Sequence, residues 1–399
     1  MRQHIAIVTP GTFAAATDRA SSVERVVAEM AGRLPQDRFR VTVYSARTGG
    51  APQKEVVGGV VHRRIGAASR ASYMRQVIRS LRREKPDLVQ IDNRPYAVRI
   101  VRRGLPGVPV ILSLHSTTFV RPHIYGQKTV QTFLNAADRI IVNSKFLKGW
   151  LRTHYKLKED SVHVCYPGVD EDRFADKYTG RGREQAEQLR AELGYREKKI
   201  ILYMGRLIPI KGVHLLLDAM PSVIARHDDA VLVICGSARY GSDRLTPYVK
   251  RLHRQGNTMP RHVRFVPFVP HSLVPHWYQA ADVAVVPSVG DEAFGLVNAE
   301  ALACGTPVVA LRSGGIGEII EHGISGRLIE PQGDPHRIAQ RLADEICGLL
   351  DDRGERERLG RRGMRIVQDA FTWKHAAAAY AEVYESCLRA AGRMRSRGR

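Results

Sequence analysis

The sequence predicts an α/β protein made of two doubly wound halves, each a parallel sheet with helices on both faces. Short, continuous apolar runs alternate with helix-length amphipathic stretches along the chain, the pattern of strands buried on both sides. At 399 residues the chain exceeds what one hydrophobic core usually serves, so two domains of about 200 residues are expected. Between Tyr178 and Lys198 the apolar rhythm gives way to glycine and charge (YTGRGREQAEQLRAELGYREK), then restarts at Ile200. That stretch marks the expected junction.

In the first half, strands are expected at Ile5–Thr9, Val41–Tyr44, Leu88–Ile91, Val110–Leu114, Ile140–Asn143 and Val162–Cys165. Helices are expected at Ser22–Leu34, Tyr73–Arg83 and Lys145–Tyr155. The second half repeats the alternation, with strands at Ile200–Met204, Val231–Cys235, Val263–Val266, Val283–Val286 and Val308–Leu311. Its helices are expected at Val213–Arg226, Val297–Ala303 and Pro335–Leu350. The domains so read are 1–185, 186–372 and a final segment 373–399; Phe371-Thr372-Trp373 begins the final helix and GRMRSRGR forms a frayed basic tail. In doubly wound sheets, ligands bind at the carboxyl ends of the strands, where the Gly-, Pro- and Ser-rich loops of this chain fall.

Composition narrows the class. The apolar fraction of 44 % is ordinary for a globular protein. The five cysteines are isolated, with no CxxC pair or zinc spacing, as expected of core residues in a reducing compartment. No stretch approaches the ~20 apolar residues of a membrane span, and the amino terminus is too short in its apolar part for a signal peptide. The expected location is cytoplasmic, or peripheral on the inner face of the membrane. Net charge is +22, and it is uneven: residues 1–170 hold 28 Lys+Arg against 12 Asp+Glu, the remainder 34 against 28. A basic first half suits an anionic membrane face or a phosphorylated acceptor. Nucleic acid is not expected as a partner, because the charges are not interleaved with aromatics and no recognition motif is present.

Three loops carry the chemistry. From Pro287 the chain reads PSVGDEAFGLVNAEALACGTPVVA, so that Glu292, Phe294, Gly295, Leu296, Val297 and Glu300 span a strand end and a helix start. After strand IILYM, Gly205-Arg206-Leu207-Ile208-Pro209-Ile210-Lys211-Gly212 sets two cations in a glycine-punctuated turn able to clamp a diphosphate, Arg as a planar fork and Lys as a point charge. It is neither GxGxxG nor a Walker A loop, which argues against hydride transfer and ATPase chemistry. Ser313-Gly314-Gly315-Ile316-Gly317-Glu318-Ile319 follows a third strand and opens another short helix. In the first half, His115 closes strand VILSL, and Asp92-Asn93-Arg94-Pro95 follows another strand.

These strings resemble the retaining GT-B glycosyltransferases of family 4. The matches are two glutamates around Phe-Gly-Leu-Val, a Gly-x-Pro-Val-Val strand and a Gly-Arg-Leu…Lys-Gly loop. The likeness covers essentially the whole chain, strongest from 137 to 330. The Asp92–Pro95 string resembles the family's spore-coat and envelope-polysaccharide transferases. The resemblance implies the GT-B fold, two Rossmann-like domains facing across a cleft, and transfer of a sugar from a nucleoside diphosphate donor with retention of configuration. It makes Glu292, Lys211, Arg206 and His115 the catalytic candidates. Gly205, Arg206, Lys211, Glu292, Phe294, Gly295, Leu296, Val297, Glu300, Gly314 and Gly315 become the donor-binding candidates.

The residue types fit that chemistry. A helix start near Leu296 offers unpaired N–H groups to a diphosphate, and Gly295 permits close approach. Glu300 suits the ribose hydroxyls and Glu292 those of the sugar, while His115 would reach the donor sugar. No cofactor is implied, the nucleotide sugar being a substrate, with a UDP-sugar ahead of a GDP- or ADP-sugar. No metal is implied either: Asp170-Glu171-Asp172 imitates a metal-binding DxD but sits in the family's Gly-Val-Asp turn. The acceptor is expected to be a saccharide or lipid-linked, in envelope, spore-coat or polysaccharide synthesis. The alternative is a small soluble acceptor, as in sucrose-phosphate-type synthases. The chain departs from the family at Pro10–Val23 (PGTFAAATDRASSV), where Ser21-Ser22 stand in place of paired glycines; serine there is expected to cap the following helix, with Glu24 nearby.

Overall fold

The computed structural model describes residues 2–17, 20–238 and 245–397, with side chains up to Arg393. The chain forms two compact units, one running to Gly168 and taking in the chain from Trp373 onward, the other Val169–Thr372.

The first unit holds strands β1 (Gln3–Val8), β2 (Phe39–Ala46), β3 (Lys54–Val57), β4 (Val60–Ile65), β5 (Leu88–Asp92), β6 (Val110–Leu114), β7 (Arg139–Val142) and β8 (Val162–Val164). They form one sheet in the order β3-β4-β2-β1-β5-β6-β7-β8. All neighbours are parallel except the β3–β4 hairpin. The chain therefore winds outward from β1 to β4, returns to β5 on the other side of β1, and winds outward again. Strands β5 and β6 are buried at every residue, which is why they read as largely apolar, with Gln90, Asp92 and Ser113 as buried polar exceptions.

The sequence reading missed β3 and β4 for a physical reason. Strand β4 does alternate, but two of its inward residues are His62 and Arg64, and β3 is an edge with Val56 63 % exposed. Arg64 is buried yet satisfied. Its guanidinium donates to the carbonyls of Ala15 (3.0 Å) and Pro52 (3.2 Å) and pairs with Glu55 at 2.8 Å.

Helix Trp373–Arg397 belongs to this first unit. Trp373, Ala377, Tyr380 and Tyr384 join Val26, Val27 and Met30 of helix Ser22–Gly32 in one apolar cluster. The expected frayed tail is thus largely helical, up to Arg397; its last two residues lie outside the described ones.

The second unit holds β9 (Lys199–Met204), β10 (Ala230–Cys235), β11 (Val263–Val266), β12 (Val283–Val286), β13 (Val308–Leu311) and β14 (Gly326–Ile329). The order is β11-β10-β9-β12-β13-β14, parallel throughout. Here the winding reverses between β9 and β12. Helices Val213–Arg226 and Pro335–Asp351 lay Leu216, Leu217, Met220, Leu342 and Ile346 into the core of this sheet.

The unit boundary differs from the expected 185/186, which falls inside a helix, Gly180–Leu193. Its sequence looked like a linker because only Gly182 and Ala186 on it are buried. Polar contacts anchor it instead: Arg190 pairs with Asp282 at 2.5 Å and donates to Ala280 O at 2.8 Å. All five cysteines are buried free thiols. Among the described residues, no helix is long and apolar enough to cross a membrane.

Candidate active site

The reversal of winding between β9 and β12 leaves a crevice at the carboxyl ends of those strands, the place where doubly wound sheets take ligands. The loops after β9, β12 and β13 meet there, and backbone contacts hold them. Val289 N–H donates to Ile210 O at 3.0 Å, and Gly315 N–H to Glu292 O at 2.7 Å. Ser313 Oγ donates to Gly290 O. Two glycines permit this closeness. A Cβ on Gly212 (φ +69°) would lie 1.8 Å from Pro287 O, and one on Gly314 (φ +58°) 2.0 Å from Glu292 O. No side chain fits at either position, so the loops can be this close only with glycine.

The zipped loops bring Lys211 and Glu292 into an ion pair, each about one-fifth exposed. Ser288 Oγ stands 3.4 Å from the same carboxylate oxygen. Lys211 ends a short 3-10 turn, Pro209–Lys211, stopped by Gly212 in the left-handed conformation. Arg206, earlier in that loop, is exposed, and its guanidinium has no hydrogen bond or ion pair among the described residues; its carbonyl accepts from Tyr203 Oη at 2.8 Å. Gly205 N–H is tied to Cys235 O at 3.0 Å, fixing where the loop leaves the sheet.

Helix Leu296–Ala303 starts at Gly295 with no side-chain cap, leaving N–H groups of its first turn available to an anion. Leu296 and Val297 are half-buried at that start. Phe294 behaves differently from its expected role: its ring is 2 % exposed and packs on Phe371 at 5.6 Å, so only its backbone can face a ligand. Glu300 is 6 % exposed and sits 3.5 Å from His271 Nε2, while Arg173 donates to His271 Nδ1 at 2.7 Å. With Nδ1 accepting, the neutral ring presents its Nε2 proton to Glu300. Arg173 and His271 were not singled out in the sequence, and no motif there links them to Glu300. The Gly314-Gly315 string forms a 3-10 turn, Gly314–Glu318. In the Asp170–Asp172 string, Asp170 accepts from the backbone N–H groups of Arg173 and Phe174, as a turn residue does.

His115 lies in the first unit, at the end of β6 beside the other reversal of winding, between β1 and β5. Its Nε2 is 2.9 Å from Asp92 Oδ1, and its backbone N–H donates to Asn93 Oδ1 at 2.8 Å. Asp92 is fully buried and also accepts from Gln90 Nε2 at 3.1 Å; Tyr384 Oη donates to Gln90 Oε1 at 2.7 Å. A carboxylate facing Nε2 keeps the proton there and leaves Nδ1 as the acceptor of the neutral ring.

A further residue of this cluster departs from expectation. Ser21 occupies the N-cap position, but its hydroxyl donates to the Glu24 carboxylate and caps no backbone N–H. Burial pushes the Glu24 carboxyl above its ordinary range, and Glu24 Oε1 has no partner among the described residues. The same loop contains residues 18 and 19, outside the described ones. Arg94 is buried, 7 % exposed, with its guanidinium over the Phe119 ring at 4.3 Å.

A doubly wound unit with cations in a strand-end loop and an uncapped helix start beside them has the elements of an anion site. Residues 23–173 match the family model for Glycosyltransferase Family 4, and residues 184–365 that for Glycosyl transferases group 1. Spore coat protein SA of Bacillus subtilis is 30 % identical over 381 residues, 96 % of this chain and 99 % of that protein. D-inositol 3-phosphate glycosyltransferase of Kribbella flavida is 29 % identical, over 90 % of this chain and 89 % of that one. Among solved structures, Anabaena HepE in complex with UDP has TM-score 0.77 at 22 % identity, covering 96 % of this chain and 100 % of that one. Sucrose-phosphate synthase from Thermosynechococcus elongatus has TM-score 0.77 at 22 % identity, covering 98 % and 100 %. The chain belongs to the group 1, family 4 glycosyltransferases, and its fold is GT-B.

Proposed function

We propose that the second unit binds a nucleoside diphosphate-sugar, a UDP-sugar first, and that the enzyme transfers the sugar with retention to a saccharide or lipid-linked acceptor, without metal or cofactor. The observation that carries this is the Lys211–Glu292 pair, held by three interlocked loops at the point where the second sheet reverses. In the reaction, negative charge grows on the departing diphosphate. Lys211, Arg206 and the open N–H groups at Gly295–Val297 are the cationic and dipolar groups for it. As Lys211 turns to the phosphate, Glu292 is released to accept from a sugar hydroxyl. Glu300, oriented by His271, accepts from the ribose. Gly205, Gly314 and Gly315 keep the walls of the site free of side chains. HepE, solved in complex with UDP, is consistent with the choice of base.

The first test is a thermal-shift screen across UDP, GDP, ADP and their sugars. A ligand at 100 times its Kd adds about 2.7 kcal/mol to stability. A shift with none of them, together with no hydrolysis of any donor, defeats the reading.

On the acceptor side, Glu24 and Arg94 at the first unit's reversal point offer a hydroxyl acceptor and a cation. They suit an acceptor with hydroxyls and an anionic group, and this keeps the small-acceptor alternative in play. The relatives named for D-inositol 3-phosphate and sucrose phosphate fit that alternative. Where a lipid-linked acceptor is used, the exposed Arg75, Arg79, Arg82, Arg83, Arg99 and Arg103 supply an anionic-surface contact. The first four lie outside the apolar face of helix Arg70–Glu84, whose Tyr73, Val77, Ile78 and Leu81 are buried, and the last two lie on helix Pro95–Gly104. Each such residue contributes about 1 kcal/mol near an anionic membrane. Sedimentation with anionic but not neutral liposomes, weakened by salt, is expected; equal partitioning onto both removes this part alone.

A further inference from the structure

A cavity of about 430 Å³ lies in the second unit at the amino-terminal edge of its sheet, opposite the donor loops. Its position follows from its lining: Asp282 immediately precedes β12 and Pro307 immediately precedes β13, whereas the donor loops leave the other ends of the same strands. Helices Gly180–Leu193 and Arg353–Ala370 supply the walls. A volume of this size lies in the range of small-molecule sites, roughly 300–1,000 Å³.

Six cations and three carboxylates line it. The carboxylates are all taken. Glu187 pairs with Arg183 at 3.0 Å, Asp282 with Arg190 at 2.5 Å and Arg356 at 3.8 Å, and Glu357 with Arg361 at 2.7 Å. Two cations remain without a carboxylate among the described residues, Lys177 and Arg353. Lys177 Nζ donates only to neutral oxygens, the Ala281 carbonyl and Thr306 Oγ1. Burial pushes its ammonium down to about 8, only partly opposed by the Asp282 carboxylate, which is itself paired with Arg190 and Arg356. A concave surface with low-dielectric walls and an excess of one sign concentrates ions of the other.

We propose that this cavity is a second binding site, for a small phosphate-bearing anion, with Lys177 and Arg353 as its principal ligands. Lys177 gives a point charge at the floor and Arg353 a planar fork at the rim, the pairing that suits a phosphate group. The Tyr178 ring, under the Arg361 guanidinium at 4.7 Å, offers an apolar wall to an organic remainder. The occupant would sit against the far end of the donor helix. Lys177 N–H donates to Cys304 O at 3.2 Å and Tyr178 Oη to Gly305 O at 2.9 Å, just past Ala303, where that helix ends.

The proposal does not depend on the transfer reaction. Its test is isothermal titration of the full chain with inorganic phosphate, glucose 6-phosphate and, as neutral control, glucose. Saturable binding of one or both phosphates and none of glucose is expected, and the relative affinities tell a free anion from a phosphate ester. Arg353→Ala, at an exposed helix start, should weaken binding at least tenfold, and Lys177→Gln as much or more. Lys211→Ala, in the donor loops, should leave it within twofold of the parent. Absence of saturable binding by either phosphate overturns the proposal. So does loss of binding in Lys211→Ala with retention in Arg353→Ala, which would place the anion in the donor site.

Discussion

The two units share one winding plan, yet their sites are built from different materials. In the second unit the site is a matter of backbone: glycines let three loops lie against one another, and an ion pair stands on top. In the first unit it is a matter of side chains: Tyr384, Gln90, Asp92 and His115 form a buried chain of hydrogen bonds between positions up to 294 residues apart. The comparison teaches that a site made by close backbone approach leaves a local string in the sequence, and one made by a buried side-chain network does not.

The largest effect expected tests the backbone-built site. Lys211→Ala should lower kcat by about 10²–10³, the usual loss when one preorganised partner of transition-state charge is removed. Circular dichroism should show the fold kept, since Lys211 is part-exposed. A near-normal kcat would take Lys211 out of the mechanism.

The division of labour between the two glutamates is sharpened by a pair of variants. Glu300→Gln should weaken UDP binding by about 10–100-fold, the range for a hydrogen bond to a charged group. Glu292→Gln should lower kcat and leave UDP affinity unchanged. One shared binding defect in calorimetry would merge the two roles.

For the side-chain-built site, Tyr384→Phe removes the donor to Gln90 Oε1 and leaves that buried acceptor unpaired. The expected loss is about 1–3 kcal/mol in urea unfolding. UDP affinity should be unaltered, because the nucleotide groups all belong to the second unit. A weakened UDP complex in this variant would contradict the contrast between the units.

The smallest expected effect is none. Activity should persist in EDTA, because Lys211 and Arg206 are assigned the charge that a metal would otherwise neutralise. Loss of turnover in chelator, restored by Mg²⁺ or Mn²⁺, would reverse that assignment.

By itself the sequence determined the strand alternation and the loops of the second unit. Strands β6, β12 and β13 fall on their expected bounds, because a strand buried on both faces must be a largely continuous apolar run. The cations and glutamates of the donor loops were legible because close approach demands glycine at fixed offsets beside them. Only the tertiary structure decided the rest. Strand β4 was hidden by Arg64, whose inward guanidinium is satisfied by carbonyls of Ala15 and Pro52 far off in the chain. Helix Gly180–Leu193 was hidden because polar contacts from Arg190, rather than an apolar stripe, hold it. His271 behind Glu300, Asp92 behind His115 and the buried Lys177 had no local signature at all. Each acts through a partner brought near by the fold, and hydrogen-bond partners distant in sequence leave no period to read.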